Sequence, residues 1–173
     1  VKVHLILAFI LASVIAIFRT IFFPNLQIIA FAPFLALFFL NNNFLTSLWI
    51  SIFAGIIMDL LSTATFGIHA LNYCLAATVV FRYKRFFSDS SINLTIYTII
   101  LSLAISVIEI VLNAFLYRSI NLSFLWIITD IFLMPILDGI YALIFFAVPL
   151  KINKIIQYSL FRYIKTKRRR RRR

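Results

Sequence analysis

One cysteine, three glycines and four prolines are spread over 173 residues. Charged side chains make up 13% of the chain, about half the ~25% of an ordinary soluble domain. Each shortage excludes a class of protein. Cys74, being alone, can form neither an intramolecular disulfide nor a cysteine-based metal cluster. Three glycines cannot build a phosphate-cradling loop, and neither His-Glu-x-x-His nor Gly-x-Ser-x-Gly occurs. Five acids and two histidines are the whole acid–base inventory. No catalytic, cofactor-binding or metal-binding pattern emerges from them, and the chain reads as a non-enzyme.

What is abundant is apolar. Hydrophobic residues reach 64%, against roughly 45–50% in a soluble domain, and the mean hydropathy is +1.06. The formal net charge is nevertheless +12. Residues 151–173 hold eleven Lys/Arg and no acid, whereas six cations against five acids leave residues 1–150 at +1. The chain is a nearly neutral apolar body with a basic tail. That excludes a disulfide scaffold, a disordered chain and an ordinary cytosolic enzyme. It also argues against nucleic acid as a partner, because a basic binding face normally belongs to a domain with polar surface around it.

A bilayer core of ~30 Å takes about 20 apolar residues per helix. Six runs fit residues 1–150: 3–18, 26–40, 44–61, 66–81, 92–117 and 122–150. The runs are continuous rather than alternating, which excludes a barrel and makes the expected fold all-α, a polytopic membrane protein of about six transmembrane helices. The second and fourth runs are short for a span. The first, with Lys2 ahead of it and no Ala-x-Ala cleavage site, reads as an uncleaved span. Residues 1–150 form the transmembrane domain and 151–173 a cytoplasmic tail. The positive-inside rule orients it. With both termini cytoplasmic, Lys2, Arg82, Lys84, Arg85, Lys151 and Lys154 lie inside, and only Arg19 and Arg118 outside.

Ionisable residues inside membrane segments are costly, so they face protein or water. Asp59, near the end of the third run, and His69, just past the turn, fall at the outer boundary of one hairpin. They read as a pair holding the hairpin, as a bland interfacial couple, or as the lining of a polar cavity. Glu109, Asp130 and Asp138 lie within the last two runs. The two aspartates are eight apart and share a face if the helix is regular, with Pro135 between them. They suit hydrogen bonds to Asn113 or Thr129, or a proton or cation path. Ala8, Ala12 and Ala16 are spaced to seat helices closely. In the tail, residues 152–164 look like an amphipathic helix on the inner leaflet. Lys165, Lys167, Arg168, Arg169, Arg170 and the arginines up to 173 read as a cluster for anionic lipids.

Gly55-x-x-x-Asp59-Leu60-Leu61-Ser62, followed by Phe66-Gly67-x-His69-Ala70-Leu71, resembles the signature of the bacterial rod shape-determining MreD family. Ala32-Pro33 and the Asn41-Asn42-Asn43 turn suit it too, while Thr63-Ala64-Thr65 stands where a Gly-x-Pro turn is common. The resemblance implies a non-enzymatic scaffold in the bacterial inner membrane. It would bind the single-span protein MreC and couple MreB to the RodA/penicillin-binding-protein synthase during wall elongation. Gly55, Asp59, Ser62, Gly67 and His69 would form its hairpin motif. The family also resembles substrate-binding subunits of vitamin transporters in general architecture, so a small transporter is the competing expectation.

Overall fold

The computed structural model describes residues 2–22, 28–62, 65–87, 91–117 and 127–149. The expected amphipathic helix and arginine cluster of the tail lie outside the described residues. Within them the secondary structure is helical: α1 (Lys2–Phe22), α2 (Ala32–Asn41), α3 (Phe44–Leu61), α4 (Ile68–Val80), α5 (Ser91–Tyr117) and α6 (Met134–Ala142). A 3-10 segment, Phe81–Phe86, extends α4, and π-helical segments Ile127–Leu133 and Leu143–Ala147 flank α6.

Four of these stretches are long and apolar enough to cross a membrane: Leu5–Phe22, Phe44–Leu61, Ile92–Leu116 and Ile128–Ala147. The expected second and fourth spans come out shorter than their apolar runs. α2 has 10 residues and α4 has 13, so at 1.5 Å per residue they cover about 15 and 20 Å. Pro33 explains the first case. Its ring would clash with the carbonyl four residues back, so residues 28–31 stay outside the helix, which begins with proline in its first turn. Gly67 explains the second. Its φ of +98° puts a left-handed residue immediately before α4, a conformation that glycine alone adopts without penalty.

α2 is apolar on every side, and Ala32, Pro33, Phe34, Leu35, Ala36, Leu37 and Phe39 are all buried. A helix hydrophobic all round belongs at the centre of a bundle. α1, α3, α5 and α6 pack against it. α1 shows how the outside is built. Ala8, Ala12 and Ala16 face inward, as their spacing suggested, while Leu7, Ile10, Val14, Ile17 and Ile21 are exposed. Small residues inside and large ones outside reverse the pattern of a water-soluble helix. That reversal suits a lipid surround, where close backbone approach drives association.

α3 and α4 form the tightest hairpin. Ser47, Ser51, Gly55 and Asp59 recur every four residues along the buried face of α3, and Gly55 lies against the backbone of Ala70 in α4. α6 runs antiparallel to α5: Ser102 meets Asp138, and a Cβ on Gly139 would lie 2.5 Å from the Ile99 Cγ1. The π-helical turn before Pro135 leaves both Asp130 and Asp138 facing inward, at 6% and 0% exposure. Pro135 therefore does not end the helix.

Overfilling the α1 seam should cost stability where filling its outer face does not. Ala12→Leu is expected to destabilise by about 1–3 kcal/mol in detergent thermal denaturation, and Val14→Leu to leave the midpoint unchanged. Equal midpoints would show that the seam is not packed.

Candidate functional site

The acids predicted as candidates gather toward one end of the bundle. Asp59 is 4% exposed at the end of α3. Its Oδ1 accepts the backbone N–H of His69 at 2.9 Å, and its Oδ2 that of Ala70 at 3.2 Å. These are first-turn amides of α4, which have no partner within their own helix. A carboxylate there also meets the positive end of the helix dipole. Asp59 and His69 do come together, but through the peptide backbone of His69. Its imidazole lies instead beside Tyr73, ring centroids 6.5 Å apart.

The rest of the motif serves the same contact. A Cβ on Gly55 would fall 2.6 Å from the Ala70 amide nitrogen and 2.7 Å from the His69 carbonyl oxygen. Only a hydrogen fits there, and that closeness lets the Asp59 carboxylate reach across. Gly67 turns the chain, and its carbonyl accepts the Leu71 N–H at 2.9 Å. Ser62 closes α3 through its backbone N–H to the Met58 carbonyl at 2.9 Å, its buried hydroxyl being unpaired.

Asp138 repeats the device at the other short helix. Its Oδ1 accepts the Ile29 N–H at 3.0 Å, and its Oδ2 accepts the Ser102 hydroxyl. These, rather than Asn113 or Thr129, are its partners. Two further side chains hold the same stretch of backbone. Arg19 Nη1 donates to the Ile28 carbonyl at 3.0 Å, and the Tyr141 hydroxyl to the Ala30 carbonyl at 3.2 Å. Three consecutive residues ahead of α2 are thus pinned from α1 and α6. The Ala32 N–H turns back to the Ile29 carbonyl at 2.9 Å, and Pro33 has no N–H to satisfy.

Glu109, half-buried on α5, lies within electrostatic range of His69, Asp130 and Arg19. Asn72, fully buried one turn after His69, has neither its Oδ1 nor its Nδ2 partnered. No group of three or more metal-ligating side chains occurs among the described residues. Ser102, Tyr141, Asn72 and the inward role of Arg19 were not singled out from sequence. Tyr141 had a readable signal, sitting three residues after Asp138 on the same helical face.

Comparison with known proteins returns no matching family model, curated protein or solved structure.

Asp59→Ala should lower the thermal midpoint by the equivalent of about 1–3 kcal/mol, because two buried amides lose their acceptor. His69→Ala, which keeps the amide, should cost clearly less. Equal losses would mean that the imidazole carries the contact. Asn72→Leu removes an unpaired buried amide and should hold or raise the midpoint, so a large loss would reveal a partner for it.

Proposed function

We propose that this chain is a non-enzymatic integral membrane scaffold of the bacterial cell-wall elongation machinery, similar to the MreD family, which acts by binding an MreC-like single-span protein. The observation that carries the reading is the α3–α4 hairpin. Of the residues on which the resemblance rests, Asp59 supplies its carboxylate, His69 and Ala70 their backbone N–H groups, Gly55 the room for the contact and Gly67 the turn before it. A motif used in this way is architectural. It fixes two helices against each other.

The outer surface fits the same role. Trp49, Phe53, Leu71, Val79, Val107, Val111, Phe115 and Ile136 are exposed on four different helices. With such short connections, a partner inside the membrane is recognised by helix packing. MreC would dock on this surface, and through it the chain would couple MreB to the RodA/penicillin-binding-protein synthase. In this reading α2 and α4 complete six crossings in the inner membrane, α2 shielded from lipid by its neighbours, and both termini are cytoplasmic. The hydrogen bond from Lys84 Nζ to the Asn42 carbonyl, 2.6 Å, supports the alternation, because it joins the α2–α3 turn to the end of α4.

The competing reading, a small transporter or substrate-binding subunit, draws on Asn72, whose buried amide has no partner. Affinity purification separates the two. An MreC-like protein recovered with the tagged chain from its own membranes supports the scaffold. A tightly held small molecule, with no such protein, would replace it by the transporter. The topology has its own test in a Cys74→Ser background. Arg85→Cys should react with an impermeant maleimide only in inverted vesicles, and Arg118→Cys only in intact cells; the opposite labelling would turn the chain over.

A further inference from the structure

The end of the bundle opposite the aspartates carries a second pattern. Phe81–Phe86 is a 3-10 helix, in which every third residue falls on the same face. Phe81, Lys84 and Phe87 accordingly turn inward and are half-buried. Phe81 packs against Phe39 and Phe44, Phe87 against Tyr97, and Lys84 is held by the Asn42 carbonyl. The remaining positions, Arg82, Tyr83, Arg85 and Phe86, are exposed. Arg85 sits over the Phe86 ring at 4.8 Å, and Tyr83 and Phe86 are 52% and 67% exposed. Cations alternating with aromatic rings at the end of a membrane helix suit the headgroup layer, where rings enter the interface and guanidinium groups meet phosphates.

The last described helix runs toward the same end. The pairing of Ser102 with Asp138 and of Ile99 with Gly139 makes α6 antiparallel to α5, and Leu143–Ala147 continues along α5. The helix therefore runs back toward the start of α5. Beyond it, residues 151–173 carry eleven cations and no acid, and the 82–91 stretch adds three cations against Asp89 alone.

We propose that the exposed face of the 3-10 turn, with Arg82 and Arg85 as its cations and Tyr83 and Phe86 as its rings, is a binding surface for anionic phospholipid headgroups, to which the eleven cations of the sequence after residue 150 add charge. The proposal is independent of the scaffold reading, since it requires only that the bundle lie in a membrane. Each basic residue near an anionic surface raises affinity roughly fivefold.

The test is native mass spectrometry of the full chain in detergent, titrated with phosphatidylglycerol or phosphatidylcholine. Phosphatidylglycerol should be retained preferentially and lost as salt rises. Arg82→Gln with Arg85→Gln, two exposed positions, should weaken retention roughly tenfold or more. Replacing Lys165, Lys167 and the arginines at 168–173 by glutamine should weaken it further. Inorganic phosphate should not compete, because the rings contribute only with a lipid. Equal retention of the two lipids, or no change in the Arg82/Arg85 variant, would overturn the proposal. So would full competition by inorganic phosphate, or preferential capture of a short RNA duplex.

Discussion

A buried amide that cannot reach water needs an acceptor inside the chain, and the architecture follows from where those acceptors stand. A helix leaves its first four N–H groups unpaired. In a long span those groups reach the headgroup layer. α2 and α4 are short, and their beginnings pack against other helices. A carboxylate from a neighbouring helix meets this need at α4, and a second one holds the backbone just ahead of α2. Asp59 of α3 accepts from His69 and Ala70, and Asp138 of α6 accepts from Ile29 just ahead of α2. Each one is buried where no water competes, so each bond is worth more than it would be at a surface.

These three bonds explain how two acids are tolerated inside such an apolar body. Asp59 and Asp138 face backbone N–H groups and a serine hydroxyl, and Arg19 and Tyr141 face backbone carbonyls. Their polarity is used to hold peptide groups in place. The outside is left to large apolar side chains, with small ones turned in toward the neighbouring helices. On the proposed reading, these outer helix faces would meet other membrane segments.

Much of this was legible in the residues. The apolar runs located all six helices, and the alanines at 8, 12 and 16 located the α1 seam, because hydropathy and side-chain size act locally. The Gly55–Asp59 and Gly67–His69 spacing located the hairpin. Its chemistry was less legible: Asp59 beside His69 suggested a side-chain pair, whereas the carboxylate bonds the backbone. Sequence displays side chains, and every residue offers the same amide. The length of α2 was also hidden, since residues 26–31 are as apolar as the helix itself. Only the steric demand of Pro33, which acts on the backbone behind it, separates the two. The clasp of Asp138 on Ile29 joins residues 109 apart, and no local pattern marks such a pair.

Asp59 holds the start of α4, and Asp138 holds the backbone just ahead of α2. Hydrogen exchange on the reconstituted chain, resolved to residues 28–31 and 68–71, tests this most directly. Asp59→Ala should speed exchange in 68–71 and leave 28–31 protected, and Asp138→Ala should do the reverse. Unchanged protection at the expected segment in either variant would contradict the account, and so would a uniform rise across both.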